Sequence, residues 1–89
     1  MGYIKNGQSI VDVRTIEEFT MGHVLGSINI PLQELEWRVE ELKALSQPII
    51  LCCASGNRSG VATGFLKNCG IECENGGSWI DVQFNFQTA

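Results

Sequence analysis

The spacing of apolar and polar positions divides the chain into short, alternating elements. Residues 9–13 (Ser-Ile-Val-Asp-Val) form a β-branched run that predicts a strand, and Gly7 before it marks a turn. Thr15 then stands in N-cap position, because Glu18 follows three residues on, as in a capping box, and Ile16 and Phe19 supply one apolar face. That helix is short and Gly22 suits its C-terminal cap. Ile28-Asn29-Ile30 predicts a second strand, stopped by Pro31, which cannot donate to a ladder. Over residues 32–45, Leu32, Leu35, Val39, Leu42 and Leu45 recur at intervals of three and four, with Glu34, Glu36, Glu40, Glu41 and Lys43 between them. This predicts one helix, the clearest in the chain. Pro48 ends the connection, and residues 49–52 form a wholly apolar run of strand length, the pattern of a central parallel strand covered on both faces. Residues 59–68 carry Val61, Ala62, Phe65 and Leu66 at helical spacing and end at Gly70, after which residues 71–74 predict a further strand. Strands alternating with helices imply an α/β fold built on a parallel sheet.

Composition narrows the functional classes. The 89 residues suffice for a single domain, 1–89, and 44% apolar content excludes a disordered chain. The net charge is -4, and the six cations are scattered singly rather than gathered into a stripe that could track phosphates, so nucleic acid is not an expected partner. No apolar run approaches the roughly 20 residues of a membrane span, so no membrane partner is expected, and residues 1–5 show neither a charged n-region nor an apolar h-region. The expected compartment is the cytoplasm, or the periplasm for a chain whose leader has been removed. Cys52 and Cys53 are adjacent, and Cys69 and Cys73 follow without the spread of a disulfide framework or the paired spacing of a zinc site. All four read as thiols, with no metal site.

The chemistry concentrates in one segment. Cys52, Cys53, Ala54, Ser55, Gly56, Asn57, Arg58 and Ser59 leave a buried strand and enter a helix, the place where open α/β sheets put their ligand sites. Small loop residues let successive backbone N–H groups turn inward as an anion-binding nest, and the helix N-terminus adds partial positive charge. A cysteine at the mouth of such a nest is favoured as thiolate. Because side chains alternate along a strand, Cys52 continues the buried ladder and Cys53 is the first residue free to turn into the loop, which makes Cys53 the expected nucleophile. Arg58 supplies a fixed cation, for the bound anion or for neighbouring carboxylates.

The segment from Cys53 to Ser59 resembles the active-site loop of rhodanese-like sulfurtransferases, in which a cysteine opens a six-residue loop with glycine fourth and often arginine sixth. Asp12-Val13-Arg14, Glu17-Glu18-Phe19, Gly22-His23-Val24 and the run from Gly26 to Leu32 are similar to the family's N-terminal signature, and Gly76-Gly77 with Trp79 to its C-terminal one. Together these motifs span residues 9–80. The resemblance implies a rhodanese-like three-layer sandwich, a central, mostly parallel sheet flanked by helices, with no cofactor or metal. It implies that Cys53 accepts a sulfane sulfur from a small donor such as thiosulfate and passes it, as a persulfide, to a thiol, cyanide or a protein acceptor. Ala54, Ser55, Gly56, Asn57, Arg58 and Ser59 would bind the substrate. Asp12 and Arg14 would serve structure, with Arg14 also able to reach the anionic substrate, while His23 would brace the chain and Trp79 would pack beside the site. Cys69 and Cys73 are expected in the core.

Two departures from the family pattern bear on function. Only eight residues precede Ser9, where relatives usually carry a further strand and helix, so one sheet edge is expected to be missing or supplied by a neighbour, in a monomer or a homodimer. Positions 54 and 55 are Ala and Ser, where members efficient with thiosulfate often place basic residues. Two rival readings follow. Cys52 to Arg58 has the C-x5-R spacing of cysteine-dependent phosphatases and arsenate reductases, although Leu51 and Ser55 depart from their pattern. The other is a non-catalytic module that binds a partner or carries sulfur.

Overall fold

In the computed structural model, which describes residues 8–86, four strands form one parallel sheet. In chain order the elements are β1 (Ile10–Asp12), α1 (Ile16–Met21), β2 (Ile28–Asn29), a 3-10 helix (Leu32–Trp37), α2 (Val39–Lys43), β3 (Ile49–Cys53), α3 (Asn57–Asn68), β4 (Cys73–Ser78) and α4 (Trp79–Phe86). The strand order is β2-β1-β3-β4, so β1 and β3 are central and both are buried along their length. Gly7 and residues 1–5 lie outside the described residues, and so does the segment on which the expected missing edge turns.

Two cores lie on opposite faces of the sheet. On one, Val11, Val13, Leu51 and Cys53 pack with Leu35, Leu42, Ala62 and Leu66 from the 3-10 helix, α2 and α3. On the other, Ile10, Ile50 and Cys52 pack with Val24 and with Val82 and Trp79 of α4. Strand alternation thus sends neighbouring residues of β3 into different layers. No described helix is long and apolar enough to cross a membrane.

The sequence-based elements hold with three corrections. Thr15 and Glu18 form the expected capping box, with Glu18 N–H donating to Thr15 Oγ1 at 3.2 Å and Thr15 N–H to Glu18 Oε1 at 3.0 Å. The single helix expected over residues 32–45 is two pieces, because Arg38 leaves helical geometry and its guanidinium bonds Glu34 on one side and Glu41 on the other. A spacing of three from Leu32 to Leu35 suits a 3-10 turn as well as an α-helix. The last strand begins at Cys73 rather than residue 71. Gly70 N–H donates to Lys67 O and Ile71 N–H to Leu66 O, a Schellman cap that uses Ile71 to close α3. Finally, α4 is an element the hydrophobic pattern does not announce. Its start is marked by Ser78, whose Oγ accepts from Asp81 N–H at 3.1 Å.

Candidate active site

The topology selects the site before any side chain does. From β1 the chain moves to β2 on one side, then crosses back to β3 on the other, so the connections diverge above the carboxyl ends of β1 and β3. Such a switch point is where open α/β sheets leave a crevice for ligands. Cys53 ends β3, pairs with Ser78 of β4, and is wholly buried. It is therefore the last strand residue, not the first loop residue as the sequence suggests. The alternation argument still separates the two thiols, since Cys53 faces the α3 layer and Cys52 the α4 layer.

Ala54, Ser55 and Gly56 join β3 to α3. Gly56 has φ 102°, a left-handed conformation that glycine adopts without strain, and a Cβ there would lie 3.3 Å from Gly77 Cα. This turn folds the backbone over the sulfur. Gly56 N–H donates to Cys53 Sγ at 3.0 Å, and Ser59 approaches it with its N–H and its hydroxyl, each at 3.4 Å. Burial pushes the Cys53 thiol up. The Ser59 hydroxyl and the N–H groups of Ser59, Gly56 and Ser55 outweigh it, so the thiol titrates below its ordinary range. Cys52 goes the other way: burial first, then the Asp12 carboxylate, push its thiol far up against the opposing pull of Arg14.

The two arginines are committed to carboxylates. Arg58, in the first turn of α3, forms a fork-to-fork pair with Glu18 of α1, at 2.7 and 2.9 Å. This holds the Glu18 carboxyl down to about 2. Arg14 is buried, its Nε and Nη2 donating to Asp12 and its remaining bonds reaching Glu18 O and Gly22 O. The Trp79 ring covers the guanidinium at 5.1 Å, and a Cβ on Gly22 would stand 3.2 Å from that ring. The guanidinium bonds of Arg14 thus run to Asp12 and to backbone carbonyls of the protein itself. Asn29 Nδ2 ties down the same strand end through Asp12 O and Arg14 O. Ala54, Ser55 and Asn57 are exposed at the rim. His23 stacks on Phe19 at 3.7 Å and its Nδ1–H donates to Phe19 O, which braces α1. Cys73 is buried with its Sγ 3.6 Å from Thr63 O, Cys69 is half-buried, and Trp37 is 70% exposed.

Sequence reasoning missed Asn75. It reaches from β4 to the loop, donating from Nδ2 to Gly56 O at 3.0 Å and accepting the Ser59 hydroxyl at 2.6 Å. The available signal was the period of two from Cys73, which puts Asn75 on the α3 face. The arrangement as a whole can hold a thiolate in a shallow nest of fixed donors and stabilise negative charge on an atom bonded to it.

The profile of the family described as "Rhodanese-like domain" matches residues 2–81. The chain is 34% identical over 74 residues to the thiosulfate sulfurtransferase PspE of Escherichia coli, covering 81% of this chain and 71% of that one. It is 41% identical over 64 residues to the putative sulfur carrier protein YrkF of Bacillus subtilis, covering 72% of this chain but 34% of that one. It spans about half the length of another relative from that bacterium, with 52% of it covered. Among solved structures, a rhodanese with anions from E. coli superposes with a TM-score of 0.72 at 32% identity, covering 83% of this chain and 89% of that one.

Proposed function

The chain belongs to the rhodanese-like family, and from that premise we propose that it is a sulfurtransferase working through a persulfide on Cys53. One observation carries the reading: backbone and hydroxyl donors converge on the Cys53 sulfur at the sheet's switch point. The thiolate attacks the sulfane sulfur of thiosulfate or another donor. A bond forms between the two sulfurs, the donor's own sulfur–sulfur bond breaks, and the rest of the donor, sulfite from thiosulfate or a thiolate from a persulfide, leaves with the electron pair. The persulfide anion is stabilised by the loop donors. A thiolate or cyanide then attacks the terminal sulfur, and Cys53 leaves as thiolate, ready for another cycle.

Ala54 and Ser55 carry no charge, and Arg58 and Arg14 are both paired with carboxylates. A dianionic donor therefore meets little net positive charge, and thiosulfate turnover is expected to be low relative to a donor with less charge. The phosphatase or arsenate reductase reading, by contrast, asks for a nucleophile at Cys52, whose thiol lies under α4 with its ionisation opposed by burial and Asp12.

The test is thiocyanate formation from thiosulfate and cyanide. Cys53→Ser is expected to abolish it, and Cys52→Ser to retain it within a few-fold. Activity that survives in Cys53→Ser contradicts the assignment. A wild-type protein that takes up sulfur but does not release it to small acceptors would favour a carrier module, the role in YrkF's name.

A further inference from the structure

No hydrogen bond joins Asn75 to Cys53, yet three hydrogen bonds fix the Asn75 amide. Nδ2 donates to Gly56 O at 3.0 Å, while Oδ1 accepts from Gly77 N–H at 3.0 Å and from the Ser59 hydroxyl at 2.6 Å. Gly56 O and Gly77 N–H together allow only this orientation, since a flipped amide would face each with the wrong group. The backbone is arranged for it. Leu51 pairs with Asn75, the register shifts after Leu51, and Cys52 then pairs with Gly77, leaving Gly76 as an extra residue. Gly60 gives the amide room, because a Cβ there would lie 3.3 Å from Nδ2.

The Ser59 oxygen is wholly buried between Asn75 Oδ1 at 2.6 Å and Cys53 Sγ at 3.4 Å. A hydroxyl has one proton, so it cannot donate to both. While Cys53 is a thiol, its S–H can donate to Ser59 Oγ as Ser59 donates to Asn75, an unbroken chain. Once Cys53 is a thiolate, Ser59 serves it only by giving up a short bond to oxygen for a longer one to sulfur. We propose that Asn75 is a positioning residue that limits the thiolate fraction of Cys53 by competing with it for the Ser59 hydroxyl proton. The N–H groups of Gly56 and Ser59 donate whichever way the hydroxyl turns, so Asn75 sets the adjustable part of the cradle.

The charged and titratable groups around Cys53 are Cys52 beside it, Cys73 of β4 in the same core layer, Arg58 of α3 with its partner Glu18 of α1, Asp12 of β1 with Arg14, and Asp81 of α4, near Gly77. A neutral substitution at Asn75 alters none of them, and the inference does not depend on which sulfur donor is used.

The experiment is the pH dependence of iodoacetamide alkylation at Cys53, resolved from Cys52 by fragment-ion mass spectrometry. It compares the wild type, Asn75→Leu and Asn75→Asp, each with and without Ser59→Ala. Leucine keeps the branched shape and removes the acceptor. Its alkylation midpoint is expected to fall by about one pH unit, the size of one hydrogen bond to a charged group, and that shift vanishes in the Ser59→Ala background. Asn75→Asp is expected to raise the midpoint, by less once Ser59 is alanine. If Asn75→Leu does not fold, the aspartate pair decides. A rise in Asn75→Leu, or shifts of equal size with and without the hydroxyl, overturns the proposal.

Discussion

Glu18 serves two elements with one carboxylate. It closes the capping box of α1 through Thr15 and holds Arg58 of α3 across the mouth of the site. Its folded pKa is lowered to about 2, chiefly by Arg58. The stability it adds is therefore present above the unfolded carboxylate value, near 4.3, and lost as pH falls through that value toward 2. Glu18→Gln is expected to flatten this part of the acid limb in urea titrations. The effect is small, because both partners are more than a third exposed. The same variant frees Arg58. The KM for thiosulfate is expected to drop several-fold and to become more sensitive to salt, and an unchanged KM would show that Arg58 does not feel the bound anion. At this scale the sequence was informative about Cys53, because alternation along an apolar strand separates it from Cys52. The partners of Arg58 and Ser59 were not legible, since Glu18 and Asn75 lie 40 and 16 residues away from them and meet them only through the fold.

Among the elements, strength of pattern decided what could be read. β3 and α3 carry continuous or helically spaced apolar residues, and each lies within one or two residues of where the pattern places it. β4 reads Cys-Glu-Asn-Gly-Gly-Ser, with little strand propensity, because an edge strand is held by its ladder to β3 rather than by apolar side chains. Its glycines are dictated by space. A Cβ on Gly76 would lie 2.6 Å from Val82 Cγ2 and 2.8 Å from Ile50 Cγ2, so the sheet there admits α4 only with no side chain between. Gly76→Ala is expected to cost about 1–3 kcal/mol in urea unfolding. Gly64 of α3 is the contrasting case, with nothing among the described residues within 4 Å of an added Cβ. Gly64→Ala is expected to stabilise by about 0.5–1 kcal/mol, through helix propensity alone. Destabilisation at Gly64, or neutrality at Gly76, would contradict this account of the packing.

In the molecule as a whole, β3 divides the two cores and carries the nucleophile on its last residue, so the packing that holds the sheet also aims the sulfur. Ile50 lies in the α4 core, one residue from Leu51 in the other. Ile50→Ala is expected to cost about 2–5 kcal/mol, because its neighbours on β1 and β4 cannot collapse into the space. A loss under 1 kcal/mol would mean that the α4 layer contributes little. The parallel α/β architecture was legible from alternating strands and helices. The strand order that creates the switch point was not, because pairing of β1 with both β2 and β3 is a property of the assembled sheet. Reduced protein incubated with thiosulfate, then analysed by intact mass and residue-resolved fragmentation, is expected to gain a single sulfur on Cys53 that cyanide removes. Sulfur located on Cys52, or none on either cysteine with several donors, would contradict the persulfide mechanism at Cys53.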